Sequence, residues 1–191
     1  RTPAHFCGVY GHKPTYGIVP MQGHELVPGM PDADLAVCGP LARSAEDLAV
    51  ALDVMARPTE RDAIAMQFRL PPADFSQLKD LRVAVWATDD IAPVSQETEG
   101  RVHKVAEILR HQGATVSDSA RPDFDLAAAH ANYQTLLTAV MTSAMRRSEV
   151  ADARVAAEAL DPADKSISAV NLRAMVMSHR EWIKTNYKRE K

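Results

Sequence analysis

The chain has 191 residues, of which 46% are hydrophobic and 25% charged, a composition typical of a globular protein with a substantial core. Its formal net charge of −3 offers no broad basic surface, so we expect no nucleic-acid partner. No apolar run approaches the roughly 18 residues that cross a bilayer, and the first residues do not form a signal peptide. We therefore expect a cytoplasmic protein without a membrane partner.

The cysteines and histidines indicate neither a metal site nor a disulfide framework. Cys7 and Cys38 lie far apart, and neither has a C-x-x-C partner, so we interpret both as small buried thiols. The seven histidines include no pair at i, i+4 spacing. His24 begins an H-E-x-x-H pattern, but Pro28 stands where the second zinc ligand would be. We expect no metal and no cofactor.

The first 80 residues contain one clearly predicted helix. Residues 1–43 are rich in glycine and proline and show little periodicity, which predicts loops and short extended segments. Ser44 is a good N-cap, and Arg57-Pro58 ends the apolar pattern that follows it. The apolar stripe of this helix consists of Leu48, Leu52 and Met55. We interpret residues 58–80 as a connecting segment.

A βαβ unit follows. Residues 81–86 alternate in hydrophobicity and predict a strand, whereas residues 114–117 predict a second, shorter one. Ser95 and Gly113 have the residue types that begin and end a helix. One face of that helix carries Val102, Val105, Ala106 and Leu109. Short links between these elements predict parallel strands with a right-handed crossover.

The rest of the chain is predicted to be helical. A long helix should begin near Asp125 and a shorter one should cover residues 149–160, with Pro162 as a break. A last helix should begin at Ser166 or Ser168. The apolar face of the long helix consists of Leu126, Ala129, Tyr133, Leu137, Val140 and Ala144, and that of the last helix consists of Leu172, Met175, Val176, His179, Ile183 and Tyr187. The predicted class is α/β with a helix-rich C-terminal half.

Two motifs give a more specific indication. Residues 1–17 carry the pattern R-x-P-A-x-F-C-G-x-x-G-x-K-P-T-x-G, which resembles the segment that follows the nucleophilic serine in the amidase signature family. Residues 34–49 contain G-P-L-A-R-S-A-E-D-L, which is similar to a second block of that family. Many members have an aspartate where this chain has Ala36, and we interpret that departure as a subgroup difference.

The resemblance implies a partial amidase signature α/β/α fold, with a mixed sheet flanked by helices. It implies one partial domain over residues 1–191, with a signature segment at 1–53, the βαβ unit at 81–118 and helices over 125–191. Family members use a Ser–cis-Ser–Lys set, and the nucleophile would lie two residues before Arg1. We therefore expect a fragment without a catalytic residue of its own, in which Lys13 is structural and residues 18–38 line part of a pocket. The residues expected to support the active site are Arg1, Pro3, Ala4, Phe6, Cys7 and Gly8.

The activity implied for the parent protein is hydrolysis of a small-molecule carboxylic amide through a serine acyl-enzyme. Two alternatives stay open: a non-catalytic truncated scaffold or interaction protein, and the A subunit of an aminoacyl-tRNA amidotransferase. The expected partner is the missing N-terminal part of the same protein. The identity of the amide and the formation of a homo-oligomer also stay open.

Overall fold

The computed structural model describes residues 1–24, 34–72 and 75–189. The helices are α1 (Thr2–Cys7), α2 (Ala45–Met55), α3 (Gln96–His111), α4 (Leu126–Met141), α5 (Arg147–Glu158), α6 (Ile167–Met175) and α7 (His179–Arg189), and the strands are β1 (Tyr10–Gly11), β2 (Leu41–Ala42), β3 (Arg82–Ala84) and β4 (Thr115–Ser117). The predicted mixed α/β class is confirmed. The chain divides into two compact units, residues 1–71 and 72–191, so the single partial domain stays a prediction.

The first unit begins with a helix that the sequence analysis did not predict. We expected only loops and extended segments in residues 1–43, whereas α1 covers Thr2–Cys7. Pro3 lies in its first turn, and Gly8 ends it in the left-handed conformation, with φ of 63°. Proline near the start and glycine just past the end are typical helix boundaries, so this signal was present in the sequence.

The helix predicted after Ser44 is confirmed as α2. The Ser44 side chain accepts a hydrogen bond from the backbone N–H of Asp47 at 3.0 Å, which satisfies one of the donors at the helix start. The predicted stripe is half-buried and consists of Leu48, Leu52 and Met55. This face packs toward the β1–β2 strand pair. Outside the stripe, Val50 and Val54 are exposed.

The second unit contains the predicted βαβ arrangement. Strands β3 and β4 are parallel, with Val83 opposite Val116, and α3 connects them. Ser95 caps the helix by accepting a hydrogen bond from the N–H of Thr98 at 3.3 Å, and Gly113 follows its end with φ of 90°. The parallel pairing is confirmed, whereas the handedness of the crossover stays a prediction.

The prediction of which residues form the buried face of α3 is partly wrong. Ala106 is 2% exposed and Leu109 is half-buried, but Val102 and Val105 are exposed. Helix α3 packs on β4, and its buried surface centres on Ala106. The buried part of the predicted apolar face is therefore narrower than expected.

The C-terminal helices follow the prediction with two corrections. Helix α4 begins after its N-cap Asp125 as expected, but it ends at Met141, before Ala144. Its most buried residue is Leu136, 1% exposed, whereas the predicted inward residue Tyr133 is 48% exposed. This face packs against α6 and α7, so the apolar stripe is rotated relative to the predicted one.

The second correction concerns the last helix, which is two helices. Ser166, and not Ser168, caps α6, and the helix ends at Met175. Ser178 then starts α7: its hydroxyl accepts from the N–H of Glu181 at 3.3 Å, and the Glu181 carboxylate accepts from the N–H of Ser178 at 2.7 Å. This reciprocal pair is a capping box. The S-x-x-E pattern at 178–181 was visible in the sequence.

Alanine dominates the buried hydrophobic positions of the second unit, whereas Val19 and Met21 are buried together with Ala4 in the first. Among the described residues, the buried alanines are Ala4, Ala106, Ala114, Ala153, Ala169 and Ala174. Alanine allows helices and strands to pack closely without loss of side-chain rotamer entropy. No helix in the described part of the chain is long and apolar enough to cross a membrane.

Candidate active-site scaffold

The two sequence motifs meet in the first unit. Strand β1 lies in the first motif and β2 in the second, and they pair antiparallel with Tyr10 opposite Ala42 and Gly11 opposite Leu41. The N–H of His12 extends the pairing by donating to the carbonyl of Pro40 at 3.1 Å. Each strand has only two residues, too few for a recognisable alternation of hydrophobicity. The sequence therefore indicated both motifs but not their pairing.

Glycine makes this pairing sterically accessible. A Cβ atom on Gly39 would overlap the carbonyl oxygen of His12 and would lie 2.7 Å from Cδ of Pro14. A Cβ on Gly11 would lie 2.8 Å from the Cβ of Ala4 on α1. Both distances are shorter than van der Waals contact, so any other residue would push the segments apart. The glycines of the two motifs thus hold α1, β1 and β2 in close contact.

Helix α1 carries most of the residues predicted to support the active site. Arg1 is its N-cap, and the Arg1 carbonyl accepts a hydrogen bond from the N–H of His5 at 3.0 Å. Ala4 is the inward residue, 6% exposed, whereas Phe6 is 81% exposed. The N–H of Val9 donates to the Ala4 carbonyl at 3.0 Å, which closes the helix end. The exposed members of the predicted set are Arg1, Pro3, Phe6, Cys7 and Gly8.

The interpretation of the cysteines requires correction. Cys7 is exposed and Cys38 is half-buried, and both carry free thiols, so neither is the buried thiol that we predicted. Cys7 ends the short helix α1, whose buried side is occupied by Ala4.

The segment after β1 is held by contacts to its own backbone and to the end of α2. The Lys13 ammonium donates to the carbonyl of Pro14 at 2.9 Å, an interaction that stabilises the local chain path. The N–H of Arg57 donates to the carbonyl of Ile18 at 3.2 Å. Val19 and Met21 are buried. Of the proposed pocket segment 18–38, residues 25–33 lie outside the described residues.

The described ranges hold no group of three or more histidine, cysteine, aspartate or glutamate side chains that could bind a metal. Glu25 and Pro28 of the incomplete H-E-x-x-H pattern lie outside the described residues.

Three carboxylates with lowered pKa values belong to helix starts in the second unit. The Arg146 side chain, followed by its backbone N–H, lowers the pKa of Glu149 through hydrogen bonds. Hydrogen bonds from Ser166 lower the pKa of Asp164. The backbone N–H and then the side chain of Ser178 lower the pKa of Glu181. Hydrogen bonding to the ionised form causes each shift, which fits a capping role.

Comparison with known proteins assigns the family. The Amidase family profile matches residues 1–191. The chain is 38% identical over 133 residues to the A subunit of a glutamyl-tRNA(Gln) amidotransferase from Deinococcus radiodurans, a match that covers 68% of this chain and 26% of that protein. The protein of the same name from Archaeoglobus fulgidus is 37% identical over 135 residues, with 68% of this chain and 26% of that protein covered.

The protein of the same name from Thermus thermophilus is 36% identical over 151 residues, with 77% of this chain and 30% of that protein covered. The matches thus span between about a quarter and a third of the length of these curated relatives. The profile match covers the whole chain and includes both motifs that the β1–β2 pairing joins. The chain belongs to the Amidase family.

Proposed function

We propose that the parent protein cleaves a carboxylic amide through a serine acyl-enzyme, with the nucleophilic serine two residues before Arg1. The observation that carries the proposal is the pairing of β1 with β2, because it joins the motif that follows this serine in relatives to the second family block. A nucleophile placed directly before α1 would be positioned by a helix packed on β1 through Ala4 and Gly11.

The chemistry follows from the family resemblance. A neutral lysine would accept a proton from the bridging serine, which in turn accepts one from the nucleophile. The nucleophile attacks the amide carbonyl, the proton held by the lysine returns through the bridging serine to the nitrogen, the neutral amine leaves, and water hydrolyses the resulting ester. Backbone N–H groups before the nucleophile would stabilise the oxyanion, each contributing about 3 kcal/mol. All of these groups would lie before Arg1.

The contribution of this chain would be the scaffold behind the nucleophile. Burial of Ala4 and the close contacts at Gly11 and Gly39 fix the direction in which α1 leaves the reactive loop. The exposed Arg1 is then available to an upstream carboxylate. Val19 and Met21, both buried, would anchor the first part of the proposed pocket wall.

The test is labelling with a fluorophosphonate probe. A version extended upstream through the glycine-rich loop and the lysine should be labelled at the serine two residues before Arg1. Replacement of that serine by alanine should abolish the labelling. The 191-residue chain alone should remain unlabelled and should release no ammonia from amides. Stoichiometric labelling of Ser44, Ser95 or another internal serine would contradict the proposal, and an unlabelled, folded extended version would favour the non-catalytic scaffold.

The second candidate function is that of an amidotransferase A subunit. It is favoured by the relatives, each of which is named as the A subunit of a glutamyl-tRNA(Gln) amidotransferase. Against direct tRNA contact by this segment stands its net charge of −3. Ammonia release from free amides by the extended protein alone would support the hydrolase. Activity that requires partner subunits and an acceptor would support the amidotransferase.

A further inference from the structure

Arg121 makes an unusual set of contacts at one edge of the β3–β4 sheet. It lies in the segment between β4 and α4. Its Nη1 atom donates to the carbonyl oxygens of Val85 at 3.2 Å, Asp118 at 3.0 Å and Ala120 at 2.9 Å. The guanidinium carbon also lies 5.2 Å from the ring centroid of Trp86, within the range of a cation–π interaction.

The contact with Val85 crosses from one strand to the next. Val85 directly follows β3 and is buried, and its N–H donates to the carbonyl of Ser117 at 2.8 Å. A buried carbonyl at the end of a strand needs a hydrogen-bond donor. Arg121 supplies that donor from the segment after β4, and its guanidinium covers the indole of Trp86, the next residue after Val85.

Two further interactions stabilise the segment that contains Arg121. The carboxylate of Asp118 pairs with the guanidinium of Arg110, near the end of α3. The Ser117 hydroxyl accepts from the N–H of Ala120 at 3.0 Å. The turn at 118–121 is therefore tied to α3 by Asp118 and to the end of β3 by Arg121.

We propose that Arg121 is a latch that joins the two loops at the carboxyl edge of the parallel sheet, residues 86–94 and 118–125, so that they open together. A planar guanidinium can stack on an indole and donate in its own plane at the same time. The ammonium of a lysine cannot satisfy both contacts. Ligands of α/β proteins bind outside the carboxyl ends of parallel strands, so the latch controls the mobility of an edge suited to binding.

Hydrogen exchange tests whether the loops are coupled. The first loop contains protected amides, since the N–H of Ile91 and of Ala92 both donate to Asp89. The second contains the N–H of Ala120. In Arg121→Ala, we expect exchange to rise about tenfold or more in both loops, because removing a charged donor from a buried carbonyl favours opening. Arg121→Lys should give a smaller rise, again in both loops.

Arg173→Ala is the matched control. Arg173 also clamps main-chain carbonyls, with Nη1 at 2.6 Å from the Asp164 oxygen and Nη2 at 2.7 Å from that of Asp161. This variant should raise exchange between α5 and α6 and leave residues 86–94 unchanged. Fluorescence of Trp86 in a Trp182→Phe background gives a second readout, and its emission should shift to the red in Arg121→Ala.

Two results would overturn the latch. In the first, Arg121→Ala raises exchange only in residues 118–125 and leaves 86–94 and the Trp86 emission as in the wild type. In the second, amide exchange rises in neither loop. If Arg121→Ala does not fold, hydrogen exchange is measured in Trp86→Phe, since this change weakens the stacking but keeps the hydrogen bonds. A rise confined to residues 86–94 in that variant would equally refute the coupling.

Discussion

The two compact units are stabilised in different ways. Residues 1–71 depend on close backbone contacts: Gly39 against His12 and Pro14, and Gly11 against Ala4. Side-chain helix caps occur in both units, at Ser44 in the first and at Ser95, Asp125 and Ser166 in the second, and the second unit adds arginines that bind loop carbonyls. Capping is local and can be recognised in a sequence, whereas a close contact between distant segments cannot. The comparison predicts that the two units respond to different substitutions.

The largest effect is expected in the second unit, from Leu136→Ala. Leu136 is 1% exposed in α4, which packs against α6 and α7. Loss of its side chain would leave a cavity and should lower the free energy of unfolding by about 3 kcal/mol. Met141→Ala in the same helix, where the side chain is 66% exposed, should change it by less than about 0.5 kcal/mol. Urea unfolding followed by circular dichroism measures both, and equal effects would refute the assigned core.

Gly39→Ala should have the next largest effect and should act on the first unit. The added methyl group would overlap the His12 carbonyl and disrupt the β1–β2 pairing, at a cost of about 2 kcal/mol. Gly100→Ala is the control, because apart from its chain neighbours and the nearby backbone of α3, no described atom lies within 4 Å of a Cβ at that position. That change should stabilise by about 0.5–1 kcal/mol. In thermal unfolding, the melting temperature should fall in Gly39→Ala and rise in Gly100→Ala. An unchanged melting temperature in Gly39→Ala would show that the contact is not tight.

Ser178→Ala tests the break between α6 and α7. It removes the hydroxyl that accepts from the N–H of Glu181 and should cost about 1 kcal/mol. The matched control is Ser168→Ala, since the Ser168 side chain is exposed and forms no hydrogen bond with the residues that the structure describes. Amide exchange in residues 179–183 should rise only in Ser178→Ala. No rise in Ser178→Ala would contradict the cap and favour one continuous helix.

The smallest effect is a pH dependence at the same cap. Hydrogen bonds from Ser178 lower the pKa of Glu181 below its ordinary value in the folded protein. The stabilisation is therefore complete above that ordinary value and is lost as the pH falls through the lowered one. The difference in melting temperature between the wild type and Glu181→Gln should be larger at pH 6 than at pH 3. A difference that grows toward pH 3 would contradict the sign of the shift.

Residue types and their spacing alone determined much of the second unit. Ser95, Gly113, Asp125 and Ser166 begin or end helices where the sequence predicts, and the parallel strands follow from the short links between elements. Each of these signals acts within one turn of a helix or one connection. The start of α7 at Ser178 and the helix α1 have similar local signals in the sequence, the S-x-x-E pattern and the proline and glycine at the helix boundaries.

Tertiary structure decided which side of each helix is buried and which segments meet at the candidate site. Tyr133 and Val105 are exposed although they lie in predicted apolar stripes, because the packing partner selects which side of an apolar helix is buried. The resemblance to relatives indicated both motifs, but their pairing depends on Gly39 meeting His12 across residues distant in sequence. The periodicity of apolar residues describes one segment by itself, whereas a contact between distant segments forms only when both are folded.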